Sequence, residues 1–217
     1  MVSVVFSGIA PGIALLVYFY LRHEREAEPI GYVIRSFVFG MLLVFPIMFV
    51  EYILLEEGIV SRTDPYGFLR MSAVEEFGKW FVIFYTVYIH RMFDDYYDGI
   101  IYAVACSLGF ATLENILYLL GDGGTELALV RALLPVSGHA LFGVLMGFFM
   151  GKAKFSGNAS RYLIYSLFIP IGAHSLFNLI LLEKERVTVF SVIFMVCLWI
   201  VGLFQVRTAN RLNRRLK

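Results

Sequence analysis

The sequence predicts an all-α fold: a polytopic transmembrane helical bundle of about seven spans, N-terminus outside and C-terminus cytoplasmic. Three observations predict it. Hydrophobic residues make up 59% of the 217-residue chain and charged residues only 16%, whereas a soluble domain is nearer half apolar and a quarter charged. Stretch after stretch approaches the roughly 20 apolar residues that a helix needs to cross a bilayer. Basic residues concentrate in alternate connections, as orientation in a membrane requires. The mean hydropathy is +0.77 and the net charge +1, so lipid is the expected surrounding and nucleic acid is not an expected partner.

The candidate spans are residues 3–21, 32–54, 72–90, 99–120, 131–151, 162–182 and 187–206. The first has no basic residues before it and is followed by Arg22 and Arg25. That order suits a first membrane helix rather than a signal peptide. Pro11-Gly12 is expected to bend or interrupt this span, and Pro46 to kink the second. Arg35 and Glu51 lie near the ends of the second span, where they can reach the interface. The third span carries Glu75, Glu76 and Lys79, the fourth Glu114, the fifth His139 and the sixth His174 and Asn178. Asp94-Asp95-Tyr96-Tyr97-Asp98-Gly99 reads as a solvated loop and helix start before the fourth. Arg22, Arg25, Arg35, Arg91, Lys152, Lys154, Arg161 and the tail's Arg207, Arg211, Arg214, Arg215 and Lys217 fall on one side. Arg62, Arg70, Arg131, Lys184 and Arg186 fall on the other. The richer side is the cytoplasmic one. No connection is long enough for a separate soluble domain, so residues 1–217 read as one integral-membrane domain. Cys106 and Cys197 sit in apolar stretches, which suits neither a disulfide framework nor a cysteine metal site.

An ionisable group at membrane depth costs several kcal/mol and needs a local reason. Glu75 and Glu76 stand four and three residues before Lys79, so both carboxylates can reach its ammonium along a helix. Alone, they could equally be an interfacial cap. Glu114 alone could be a packing hydrogen bond. His139 lies four and eight residues before Gly143 and Gly147, a small-residue stripe suited to close helix contact, and alone reads best as a structural histidine. His174 and Asn178 share a face, where Asn178 can orient the imidazole or bind a carbonyl. Together, helices of alternating direction bring all of these about 5–15 Å below the outer surface at 1.5 Å per residue. That shared depth points to a site.

Carboxylates and imidazoles without a serine or cysteine nucleophile suit activated water and hydrolysis by general acid–base catalysis. The same groups could instead hold a metal, with Glu76, Glu114, His139 and His174 as the ligands. Zinc or another divalent ion is therefore not excluded, but no His-Glu-x-x-His helix supports it, and no cofactor is expected.

Glu75-Glu76-x-x-Lys79, Phe110-x-x-x-Glu114, His139-x-x-x-Gly143 and His174-x-x-x-Asn178 follow one another on successive spans. In that order they resemble the PrsW family of bacterial membrane proteases, relatives of the CAAX-processing and bacteriocin-type superfamily. The likeness extends over most of the chain, including residues 8–14, 98–118 and 130–147. Many superfamily members carry histidine where this chain has Glu114. The resemblance implies a multi-pass protease of the bacterial cell membrane. Its implied substrate is a single-pass anti-sigma factor, cut at site 1 on its extracytoplasmic side during a stress response, which starts regulated intramembrane proteolysis and releases a sigma factor. The expected catalytic set is Glu75, Glu76, His174, Glu114 and His139, with Lys79 and Asn178 in support and Glu76 slightly preferred to Glu75 as base. Two other classes compete: a non-catalytic peptide-binding chaperone or immunity-type protein, and a proton-coupled transporter. The chaperone would bind a partner without shortening it. The transporter would need a polar path to both faces, and the inner halves of these spans carry little polarity.

Overall fold

The structure, a computed structural model, describes residues 2–25, 28–61, 65–123, 128–182 and 187–216. Among these, Arg70 and Arg131 represent the less basic side; Arg62, Lys184, Arg186 and Lys217 lie outside the described residues. The helices are α1 (Val2–Tyr20), α2 (Ile30–Glu56), α3 (Pro65–Ile83), α4 (Tyr96–Tyr118), α5 (Ala128–Arg131), α6 (Ser137–Phe155), α7 (Ala159–Leu182) and α8 (Val187–Asn213). Single π-helical turns extend α3 (Phe84–Tyr88) and α4 (Leu119–Gly123), and another (Ala132–Val136) joins α5 to α6. No strand occurs among the described residues.

Six of the resulting stretches are long and apolar enough to cross a membrane: Ser3–Tyr20, Ile30–Glu56, Tyr96–Gly121, Ala128–Phe155, Ala159–Leu181 and Val189–Asn213. The remaining long helix, α3, is the one that holds Arg70, Glu75, Glu76 and Lys79. It begins at Pro65, seven residues before the expected start at 72. Proline suits a first helical position because its missing N–H is unneeded there. Glu75 and Glu76 therefore lie nearly three turns into their helix rather than at its tip, which removes the reading of the pair as a cap. α1 runs unbroken through Pro11 and α2 through Pro46.

α4 and α6 form the centre. In the apolar stretches that contain them 78% of residues are buried, against 17–33% in the other four. α4 packs most extensively on α6 and α2, and α6 also packs on α7. Small residues make these approaches possible. A Cβ at Gly147 would strike the carbonyl of Gly99, one at Gly151 that of Tyr96, and one at Gly143 would come 2.9 Å from Ala103 O. Gly40 and Gly109 do the same where α2 meets α4, against Cys106 and Phe37. Lipid tails supply little drive for helices to associate, so close van der Waals contact of this kind is what holds such bundles together.

Polar ties fix the outer helices. Trp80 donates to Ser166 (2.8 Å), joining α3 to α7, and Trp199 to Ser137 (2.9 Å), joining α8 to α6. At one end of the bundle Asn210 donates to the carbonyl of Arg22 (2.9 Å), Asn213 accepts from the backbone N–H of Tyr96 (2.7 Å) and Arg214 pairs with Glu24 (2.6 Å). The start of α4, the end of α1 and the basic end of α8 thus meet there.

The segment 94–98 corrects an expectation. It does start a helix: Asp95 accepts from the N–H groups of Tyr97 and Asp98, and Asp98 accepts from that of Asp95. It is not solvated. Asp95 and Asp98 are buried, and Asp95 meets His23 at 2.7 Å. Burial works against its charge, yet the hydrogen bonds from His23 and from the helix start win, holding the Asp95 carboxyl down at about 2.

Candidate active site

The site forms where α3, α4, α6 and α7 meet. Lys79 is at its centre and wholly buried. Its Nζ lies 2.7 Å from Glu76 Oε1, 3.4 Å from Glu75 Oε2 and 3.0 Å from His139 Nδ1, and it sits 4.3 Å from the centre of the Phe110 ring. The i,i+3 and i,i+4 spacing read in the sequence thus brings both carboxylates to one ammonium. A buried charge of this kind persists only when paired and hydrogen-bonded.

The proton inventory fixes both imidazoles. An ammonium only donates, so His139 Nδ1 accepts from Lys79 and its Nε2 carries the proton. That Nε2 lies 3.3 Å from Glu114 Oε2. An ionised carboxylate only accepts, so His174 Nδ1, 3.0 Å from Glu76 Oε1, carries the proton and leaves Nε2 with a free lone pair. The His174 ring stacks on Phe142 at 4.8 Å. The π-helical turn at Ala132–Val136 contains Pro135 and directly precedes the turn bearing His139. A proline inside a helix removes one ladder hydrogen bond, and a π-bulge is a frequent accommodation near functional sites.

A cavity of about 150 Å³ opens onto this cluster, with Glu75, Glu114, Arg131, His139, His174 and Asn178 in its wall. The two members of the acidic pair differ. Glu75 lines the cavity and keeps 13% of its side chain exposed, while Glu76 is fully buried behind it. Asn178 donates to Ser72 (3.1 Å), not to His174, whose polar partner is Glu76. Glu114 sits at the rim, 41% exposed.

Three residues here escaped the sequence reading. Arg131 counted only as a loop charge, but it lines the cavity, donates to Asn115 (2.8 Å) and lies 3.9 Å from the centre of the Tyr118 ring. Asn115 in turn donates to the carbonyl of Gly8 (3.1 Å), which ties α1 to the site. Ser72 lay at the edge of its expected span, and Asn115 stood beside the more conspicuous Glu114. Only Asn115 left a trace, as a buried amide next to a membrane carboxylate.

The donor types suit a metal ion, although His139 can serve as a ligand only when its Nδ1 is released by the Lys79 ammonium. One donor atom from each of Glu75, Glu76, His139 and His174 lies within 4.8 Å of the others. Carboxylate oxygen and imidazole nitrogen are the usual ligands of a hydrolytic zinc. Glu76 Oε2 is buried without a hydrogen-bond partner, a vacant acceptor of the kind a cation satisfies. The set differs by one from the sequence-derived ligands: Glu75 stands in the cluster, and Glu114 lies outside it against His139.

A bundle of membrane helices that converges carboxylates and imidazoles on a small polar cavity defines a polytopic membrane hydrolase. Residues 28–202 match the family described as PrsW family intramembrane metalloprotease. The chain is 52% identical to Protease PrsW of Geobacillus kaustophilus, over 97% of this chain and 93% of that one. It is 48% identical to Protease PrsW of Bacillus subtilis over 98% of each chain, and 28% identical to that of Clostridioides difficile over 87% of this chain and 84% of that one. No solved structure matches. The chain belongs to the PrsW family of intramembrane proteases. The family's description as metalloproteases and the four clustered donors bring forward the metal that the sequence reading placed second.

Proposed function

We propose that this protease makes the site-1 cut in a single-pass anti-sigma factor, on its extracytoplasmic side. The observation that carries the reading is the convergence of Glu75, Glu76, His139 and His174 on one cavity, away from the bundle end that holds the basic tail. With the basic end in the cytoplasm, the N-terminus is outside and the cavity faces the outer leaflet. A bond just outside a substrate's membrane span is then within reach.

Glu75 faces the cavity and serves as the general base on water. Glu76, locked between Lys79 and His174, anchors the site, the reverse of the roles preferred from sequence. His174 presents its free Nε2 to the reacting groups, and Glu114 fixes the proton on His139. A divalent ion held by Glu76 and His174, and by His139 once Lys79 releases its Nδ1, would supply Lewis-acid polarisation and a more acidic bound water, with Glu75 left free as the base. Arg131 and Asn178 line the wall where substrate backbone would lie.

The test is co-expression with a tagged anti-sigma substrate in cells lacking the endogenous protease. The wild type shortens the substrate, and Glu75→Ala, Glu76→Ala and His174→Ala each leave it intact. Full cleavage by all three variants overturns the assignment. Intact substrate that still co-purifies with the wild-type chain supports a binding protein instead.

A further inference from the structure

At the opposite end of α4, about 24 Å from Glu114 at 1.5 Å per residue, a second group of ionisable side chains is buried. His23 comes from the segment after α1, and Asp95 and Asp98 from the start of α4. His23 Nε2 lies 2.7 Å from Asp95 Oδ2, with the two side chains 2% and 3% exposed. The imidazole stacks on Tyr97 at 4.8 Å. Glu28, also buried, accepts from the Tyr102 hydroxyl and adds a third carboxylate beside Asp98.

Helix capping accounts for part of this group. Asp95 Oδ1 takes the N–H groups of Tyr97 (2.7 Å) and Asp98 (3.0 Å), and Asp98 Oδ2 takes those of Asp94 (2.7 Å) and Asp95 (2.8 Å). Capping leaves Asp98 Oδ1 and His23 Nδ1, both buried and neither given a hydrogen bond by an N–H or hydroxyl donor; the Glu28 carboxyl is the neighbour of Asp98. It also leaves Asp95 and Asp98 with His23 as their single imidazole, and that Glu28 carboxyl beside Asp98. Buried charges are as a rule paired or bound to metal, and a buried acceptor left without a donor is destabilising.

One donor atom from each of His23, Asp95 and Asp98 lies within 4.8 Å of the others. Ligands on a tetrahedral ion with bonds of about 2.0–2.1 Å stand about 3.4 Å apart, so small side-chain adjustments close the set. Two carboxylates balance a divalent charge, and one nitrogen with carboxylate oxygens suits zinc or manganese. We propose that His23, Asp95 and Asp98 form a second divalent transition-metal site, distinct from the protease centre, that clasps the segment after α1 to the start of α4. Asp98 Oδ1 is the ligand oxygen that capping does not use.

The probe is Zn²⁺, with Mn²⁺ in parallel, on full-length protein purified in detergent and stripped with chelator. The background is Glu76→Gln with His174→Ala, which disables the first cluster. This background is expected to retain one zinc per chain by dialysis and metal analysis, and zinc is expected to raise its melting temperature. Adding Asp98→Asn, or separately His23→Gln, is expected to weaken zinc binding at least tenfold. His23 lies outside the helices, so His23→Gln decides the matter if Asp98→Asn fails to fold. A background variant that binds no zinc overturns the site, as does full binding in His23→Gln. Neither outcome depends on whether the chain cleaves an anti-sigma factor.

Discussion

At the scale of single residues, Lys79 is the pivot. It neutralises two carboxylates and sets the tautomer of His139. Removing it leaves Glu76 charged, buried and short of its main partner, a change that costs about 3–5 kcal/mol. Lys79→Ala is therefore expected to lower the melting temperature in detergent markedly and to abolish cleavage. Glu75→Gln separates chemistry from stability, because Glu75 opens on the cavity and its contact with Lys79 is the longer one. It is expected to melt near the wild type while cleaving about 10²–10⁴-fold more slowly, the usual worth of a general base. Equal loss of stability in Glu75→Gln and Glu76→Gln would remove the distinction drawn between them. The sequence disclosed this cluster because each member is an ionisable group at membrane depth, and spacing along α3 alone brought Glu75 and Glu76 to Lys79. It did not disclose Arg131. A charge at a span boundary looks like any loop charge until the chain folds it over Tyr118 and against Asn115.

At the scale of elements, the α4–α6 contact rests on glycines that meet backbone rather than flexible side chains. Gly147→Val forces the two central helices apart; overpacking of this sort costs about 1–3 kcal/mol. Gly172, on α7, has nothing within 4 Å of an added Cβ, and Gly172→Ala is expected to leave the melting temperature unchanged. The pair serves as a direct comparison by thermal unfolding in detergent. The stripe His139-x-x-x-Gly143-x-x-x-Gly147 marked this interface in the sequence. The same periodicity misjudged where α3 begins. Hydropathy ends at the first charges, whereas the helix starts at Pro65 and runs through Arg70 to its buried glutamates. It also misjudged residues 94–98, since a run of aspartates reads as solvated until His23, distant in sequence, is folded against it.

At the scale of the whole molecule, the membrane class and the number of long helices were legible because composition and length decide them. Orientation rests on charge. Ser156→Cys, in the short connection between α6 and α7, on a Cys197→Ser background that otherwise keeps only the buried Cys106, is expected to react with a membrane-impermeant thiol reagent only after the cells are opened. Labelling in intact cells would invert the topology. Chelator treatment followed by metal analysis tests the protease centre as a whole. Stripped protein is expected to lose cleavage of a defined substrate and to regain it with zinc, while activity surviving complete removal assigns the chemistry to the glutamates and histidines alone.

The cavity beside Glu75 has a volume of about 150 Å³. That is room for a cluster of waters, whereas an α-helix with side chains is about 10–12 Å across. A stretch that reaches Glu75 is then expected to be extended, as a bond just outside a membrane span can be and as one inside a helix becomes only on unwinding. Selection is then expected to favour substrates whose chain beside the span is readily extended. Glycine or proline beside the scissile bond should speed cleavage in the co-expression assay, and a run of alanine and leucine should slow it.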